Sequence, residues 1–156
     1  MAFADAAIRG FRPNHNLVVS AAWKYEPADN DYTFLDLFLY PRGYSIPVSN
    51  WMVTVQSSYH FPLFYPDFGF AGIFYCSRVR AGLFADYGYA DIPVGTVTDS
   101  YGLFLSAGTE IILDTRWLNL IDFPIGFRCS FLATPDFADS SKRFNFEVVV
   151  PVVVRL

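Results

Sequence analysis

Between Tyr101 and Trp117 the chain alternates with a period of two that a helix cannot satisfy. Tyr101, Leu103, Leu105, Ala107, Thr109, Ile111, Leu113, Thr115 and Trp117 occupy one phase. Gly102, Phe104, Ser106, Gly108, Glu110, Ile112, Asp114 and Arg116 occupy the other. Successive side chains of a strand point to opposite faces, so one face carries Glu110, Asp114 and Arg116 and the opposite face carries no charge. Aromatic residues stand at both ends of the uncharged phase. A strand of about 9–11 residues crosses a bilayer with aromatic girdles at its interfaces, and this segment predicts such a strand.

The same period recurs along the chain. Over residues 51–63, Trp51, Val53, Val55, Ser57, Tyr59, Phe61 and Leu63 alternate with Met52, Thr54, Gln56, Ser58, His60 and Pro62. Over 73–87, Ser77, Val79, Ala81, Leu83 and Ala85 alternate with Arg78, Arg80, Gly82, Phe84 and Asp86. Over 123–131, Phe123, Ile125, Phe127, Cys129 and Phe131 alternate with Pro124, Gly126, Arg128 and Ser130. Residues 143–156 continue the pattern, and 17–26 and 32–40 show it more weakly. Turn-forming residues separate these runs. Short connections fall at 66–69 and 119–122, longer polar ones at 91–100 and 135–142. Alternation of short and long connections is the asymmetry of outer-membrane barrels, with the short turns on the periplasmic side.

The expected fold is therefore all-β: about seven antiparallel transmembrane β-barrel strands in a single domain, 1–156, with residues 1–14 as loop or disordered. Single-chain antiparallel barrels normally have an even number of strands, eight at least. Seven implies a portion of a larger barrel or an eighth strand before Leu17, and the first reading is preferred. Residues 1–8 lack the basic region and apolar core of a signal peptide, which again predicts a partial chain.

Composition narrows the function. The chain is 53% hydrophobic and 17% charged, against about 25% charged in typical soluble domains. Yet it has no run of 18 apolar residues that would make a spanning helix. The longest apolar run, 148–154, contains Pro151. A net charge of −4 argues against nucleic acid as a partner. Cys76 and Cys129 fit no metal-ligand spacing and read as small hydrophobes within strands. His60 and Ser58 share a face without a third orienting group, so they make no nucleophile–base set. Glu110 and Asp114, four residues apart, are separated by about 13 Å at strand rise, too far for a glycosidase pair. Neither a phosphate-binding loop nor a metal-ligand cluster is present, so no enzyme activity, cofactor or metal is expected. Arg78, Arg80, Glu110, Asp114, Arg116 and Arg128 are instead expected to form a charge network inside the barrel.

Two short motifs remain. Pro41-Arg42-Gly43-Tyr44 follows a strand and opens a loop, and Phe84-Ala85-Asp86-Tyr87-Gly88 closes another strand. In their order the sequence resembles the C-terminal half of BamA/TamA-type, surface-antigen-like outer-membrane assembly barrels, over roughly residues 32–156. In that family an Arg-Gly-aromatic loop folds back into the lumen, and its arginine meets the acid of a Phe-x-Asp-x-Gly strand. The resemblance implies that Arg42 pairs with Asp86 and that Gly43 and Tyr44 complete the loop, with Phe84 and Gly88 on the receiving strand. Arg9-Gly10-Phe11 is a second triplet that offers itself as the inserted loop. The same phase that carries Arg78 and Arg80 carries Phe84 and Asp86, and a guanidinium fork suits bidentate pairing with a carboxylate.

The resemblance implies residence in the bacterial outer membrane and a role in insertion or translocation of other proteins. The expected partners are outer-membrane lipid, other outer-membrane proteins, or the remainder of the same barrel. The chain departs from the family in ending Val-Arg-Leu rather than in an aromatic residue. Two alternatives stand beside this reading. One is an outer-membrane pore, or an anchor for a periplasmic domain. The other is a soluble β-barrel whose apolar phase points inward onto an apolar ligand.

Overall fold

The computed structural model describes residues 2–10, 12, 14–25, 38–45, 49–91, 101–118, 120–136 and 139–150. Nine strands form one antiparallel sheet, with no helix among the described residues. They are β1 (Ala2–Arg9), β2 (Asn16–Tyr25), β3 (Trp51–Phe64), β4 (Phe68–Phe70), β5 (Phe74–Asp91), β6 (Tyr101–Trp117), β7 (Ile121–Asp122), β8 (Ile125–Leu132) and β9 (Phe144–Val149). Seven follow one another in the order β1-β2-β3-β5-β6-β8-β9, while β4 pairs with β5 and β7 with β6. The sheet is open, ending at β1 on one side and β9 on the other.

Several expected boundaries shift. The segment placed outside the strands at the start of the chain forms β1 across Ala2–Arg9. Its alanines carry little β propensity of their own. Pairing with β2 from Ala2↔Trp23 to Arg9↔Asn16 organises it instead. Of the strand expected at 32–40, residues 32–37 lie outside the described residues, and Phe38–Tyr40 are not strand. The Tyr40 carbonyl accepts from the Gln56 side chain at 2.7 Å instead of joining a ladder. The turn expected at 66–69 moves to Phe70–Ile73, because Phe68–Phe70 pair back onto β5. Ala71 (φ 49°) and Gly72 (φ 70°) are both left-handed there, and the Ile73 N–H donates to the Phe70 carbonyl at 2.9 Å. Positive φ at both central residues is the requirement of a type I′ hairpin turn. Ile121 and Asp122, expected in a turn, form β7, and the last strand is described as Phe144–Val149.

The alternation read from the sequence becomes two faces of opposite character, and the burial is inverted relative to a water-soluble sheet. Across β5, Leu83 (50% exposed) and Tyr87 point to open surroundings, while Phe84 and Asp86 (4%) are buried. On β6, Leu103 and Ile111 are exposed, and Phe104, Ser106 and Glu110 (6%) are covered. On β9, Phe146 is 77% exposed. The apolar phase is thus outward and the charged phase inward. The only large apolar cluster of buried residues among those described is Ala22, Phe38, Met52, Ala90 and Phe104, at the end of the sheet bearing the long connections.

One irregularity serves the charges. Between Cys76 and Arg78 the β5–β6 register slips by one residue, leaving Ser77 exposed. A bulge re-aims the side chains that follow it. Here Arg78 comes opposite Asp114, with Arg80 two residues on and on the same side.

Ala71 holds a left-handed conformation that costs an L residue about 1–2 kcal/mol and glycine almost nothing. Ala71→Gly is therefore expected to stabilise the chain by about 1 kcal/mol. Equilibrium urea unfolding, read at unchanged m-value, measures this; a loss of stability would contradict the turn assignment.

Candidate functional site

Residues 38–45 leave the long connection between β2 and β3 and lie against the buried face of the sheet, fastened to successive strands. On β2, the Lys24 ammonium donates to the Tyr40 hydroxyl at 2.7 Å and stands 5.0 Å from that ring's centroid. On β3, Gln56 holds the Tyr40 carbonyl. On β5, Pro41 fills the space over Gly88, where a Cβ would come within 2.5 Å of Pro41 Cγ. The segment then reaches β6 and β8, and the Ser45 N–H donates to Asp136 Oδ1 at 3.0 Å beyond β8.

Arg42 is the centre of this arrangement. Its Nε donates to Asp86 Oδ2 at 2.8 Å, its Nη2 to Oδ1 at 2.5 Å, and its backbone N–H to Oδ2 at 2.9 Å. A further bond runs from Nη2 to the Ser57 carbonyl at 3.3 Å. The Asp86 side chain has no exposed surface. A carboxylate so placed must be paired and hydrogen-bonded to remain ionised, and the bidentate fork with a backbone N–H does both.

Each member of the strand motif has a distinct part. Phe84, two residues before Asp86 on the same face, lies under the guanidinium at 4.1 Å from ring centroid to Cζ, a cation–π contact. Arg128 approaches the same ring at 5.8 Å. The ring has room because Gly108 is its cross-strand partner; a Cβ there would come within 2.6 Å of Phe84 Cζ. Gly88, two residues after Asp86, leaves the gap for Pro41. Gly43 takes φ 90°, and a Cβ on it would meet Ser130 Cβ at 2.8 Å, so both conformation and space select glycine.

Tyr44 fixes the far end. Pairing of β8 with β6 stops at Ser106↔Leu132. The Tyr44 hydroxyl donates to the Leu105 carbonyl at 2.6 Å, lies 2.7 Å from Thr134 Oγ1 and accepts from the Leu105 N–H at 3.2 Å. The Leu105 carbonyl also accepts from the Ala133 N–H at 2.9 Å, so the phenol adds to that backbone contact and gives the Leu105 N–H an acceptor.

The other charges named from the sequence divide into two clusters and one outlier. Glu110 accepts from Arg128 at 2.7 Å, and Arg128 also reaches Glu147 at 3.2 Å. Asp114 accepts from Arg78 Nε and Arg80 Nη2, both at 2.7 Å. Arg116, expected in the same network, instead pairs with Asp122 at 2.7 Å on an exposed hairpin. The reason is register: at its end β6 pairs with β7 and Arg116 comes opposite Asp122, so its partner is on the neighbouring hairpin strand and not among the charges further along β6. The alternative triplet also falls elsewhere. Arg9 closes β1, and Gly10 opens the short β1–β2 turn at the opposite end of the sheet; Phe11 lies outside the described residues.

Sequence reasoning missed Glu147, Gly108 and the part played by Pro41. Cross-strand register would have found the first two, since Glu147 lies opposite Arg128 and Gly108 opposite Phe84. His60 lies across Gly82 from Glu110 in the same transverse row. Its Nδ1 is buried without a hydrogen-bond partner among the described residues. No group of three or more metal-ligating side chains occurs among the described residues. In the connection after β8, hydrogen bonds from the Ser141 hydroxyl and N–H hold the Asp139 carboxyl below its ordinary range. Comparisons with protein-family models, with curated proteins and with solved structures returned no match.

Breaking a buried ion pair by removing one partner costs about 3–5 kcal/mol. Asp86→Ala is expected to destabilise the folded chain by that order. Arg42→Lys should lose part of it, since a point charge can neither bond in a fork nor stack in the same way. The double variant Arg42→Ala/Asp86→Ala should cost less than the sum of the singles. Urea unfolding followed by tryptophan fluorescence reads all three. Additive losses would mean the two residues do not act as a pair.

Proposed function

We propose that this chain forms part of a bacterial outer-membrane β-barrel of the assembly type, which assists insertion or passage of other proteins through the membrane. The observation that carries the reading is the inverted burial: exposed Leu, Ile, Phe and Val on one phase, and buried Asp86, Glu110 and their arginines on the other. In water such a sheet would leave a large apolar area exposed, whereas in lipid it is the stable sense. Aromatic residues gather at both ends of the outward face. Trp23, Tyr25 and Trp51 stand at one end, with Trp51 and Tyr89 rings 5.6 Å apart. Tyr59 and Phe61 stand towards the other, 5.9 Å apart.

The type of barrel is supported by the meeting of the Arg-Gly-Tyr segment with the Phe-x-Asp-x-Gly strand, the pairing that the resemblance implies. It also weighs against an open pore, because the segment lies where solvent would have to pass. The two charge clusters on the covered face are balanced as well: Arg78, Arg80 and Arg128 against Glu110, Asp114 and Glu147. A soluble barrel for an apolar ligand would need the opposite burial.

Topology adds one requirement. Every pairing along the main path is antiparallel, so in a path of seven strands β1 and β9 run in the same direction. Unpaired edges are not tolerated in hydrocarbon. In the proposed barrel an odd number of further strands completes the antiparallel circuit between β9 and β1.

A charge placed on the lipid face near the bilayer midplane costs about 2–4 kcal/mol. Leu83→Arg should therefore impair folding into vesicles by that order while Leu83→Phe leaves it nearly unchanged, as heat-modifiable gel mobility and circular dichroism would show. A monodisperse, cooperatively melting β protein in detergent-free buffer would overturn the membrane reading. For the assembly activity, vesicles carrying the protein should accelerate insertion of a second unfolded barrel, and Asp86→Ala should reduce that effect. Equal insertion into empty vesicles would exclude it.

A further inference from the structure

Two neighbouring hairpins at the short-turn end of the sheet are as apolar as its outward face. A barrel turn standing in water would be polar. Here the β4–β5 hairpin exposes Phe68, Phe70 and Ile73, and the β6–β7 hairpin exposes Leu118, Leu120 (85%) and Ile121. The two hairpins form one preformed unit. The Leu118 N–H donates to the Ile73 carbonyl at 2.8 Å, and the Phe74 and Trp117 rings meet edge to face at 5.2 Å.

Three observations identify what surrounds this tip. First, consecutive residues Leu120 and Ile121, and likewise Leu63, Phe64 and Tyr65, are all exposed. Leu63 is the extra residue of a bulge at the end of β3, and Tyr65 and Leu120 belong to the connections, so the apolar surface runs across the end of β3 and both hairpins as a broad band and not as one groove for a single docked protein. Second, the polar side chains at the tip pair with one another, Arg116 with Asp122 as an ion pair and the Asp67 carboxylate as acceptor from the Tyr75 hydroxyl. Third, the tip is continuous through Leu63 and Trp117 with the outward face read above as lipid-facing. Bulky apolar side chains with intermixed Tyr and Trp are the composition that inserts at a bilayer interface.

We propose that the joined β4–β5 and β6–β7 turns are immersed in the acyl–headgroup boundary of the near leaflet rather than standing in water. The sheet then has a wet end, at the long connections, and a lipid-embedded tip at these two hairpins. This rests on the membrane reading of the outward face.

The test uses the full chain carrying Cys76→Ala and Cys129→Ala, with one new cysteine for an environment-sensitive fluorophore, folded into phosphatidylcholine vesicles. Labels at Leu120→Cys and, independently, Phe70→Cys sample the tip; Leu83→Cys samples the outward face and Ser140→Cys the opposite end. The Leu120 and Phe70 labels should be quenched by shallow lipid-borne quencher and be at least fivefold less sensitive to aqueous iodide than the Ser140 label. If the Leu83 label is lipid-quenched but both tip labels are as open to iodide as Ser140, the proposal is overturned while the membrane reading stands, and a protein partner becomes the occupant. If the Leu83 label also escapes lipid quenching, both fail together.

Discussion

A carboxylate with no exposed surface cannot stay ionised without a cation, and on this sheet the cation comes from outside it. Asp86 sits mid-strand on β5, and Arg42, from the connection between β2 and β3, supplies a two-pronged contact and a backbone N–H. Around that pair the neighbours follow. Phe84 supports the guanidinium, Gly108 makes room for Phe84, and Gly88 makes room for Pro41. A buried ion pair adds little net stability compared with apolar packing. What it supplies here is position: the guanidinium has one carboxylate to reach, so the segment is held in one register on the sheet.

That dependence explains why the covered face tolerates so many polar groups. The Glu110–Arg128–Glu147 and Arg78/Arg80–Asp114 clusters pair their charges internally. The outward face, relieved of charge, is free to be largely apolar.

Much of this was legible because a strand's period is two and the contrast between phases is strong on β3, β5, β6 and β8. The meeting of Arg42 with Asp86 was implied by the family resemblance that the two motifs carry. Other parts were hidden for physical reasons. Ala2–Arg9 has weak alternation, and its strand is imposed by its neighbour. Phe38–Tyr40 have the composition of a strand but spend their backbone and rings on the segment's contacts. Arg116 shares the phase of Glu110 and Asp114, yet the local β6–β7 pairing puts Asp122 opposite it, a tertiary fact that periodicity does not encode. Glu147 required knowing which strand lies beside β8.

The fastening of residues 38–45 also has a consequence for the order of events in folding. Each hairpin of the sheet closes between neighbours in sequence, but Arg42 and Asp86 are 44 residues apart and Tyr44 and Thr134 are 90 apart. Long-range contacts of that kind form only after the intervening chain has been organised. Tyr44 has no site until β6 has been laid down and β8 has ended at Leu132. The segment therefore docks late, and its docking requires β5, β6 and β8 to lie side by side in correct register. A sheet slipped by one residue would turn Asp86 to the outward face and leave Arg42 with nothing to hold. Locking of this one short segment thus acts as a checkpoint on the assembly of the strands beneath it.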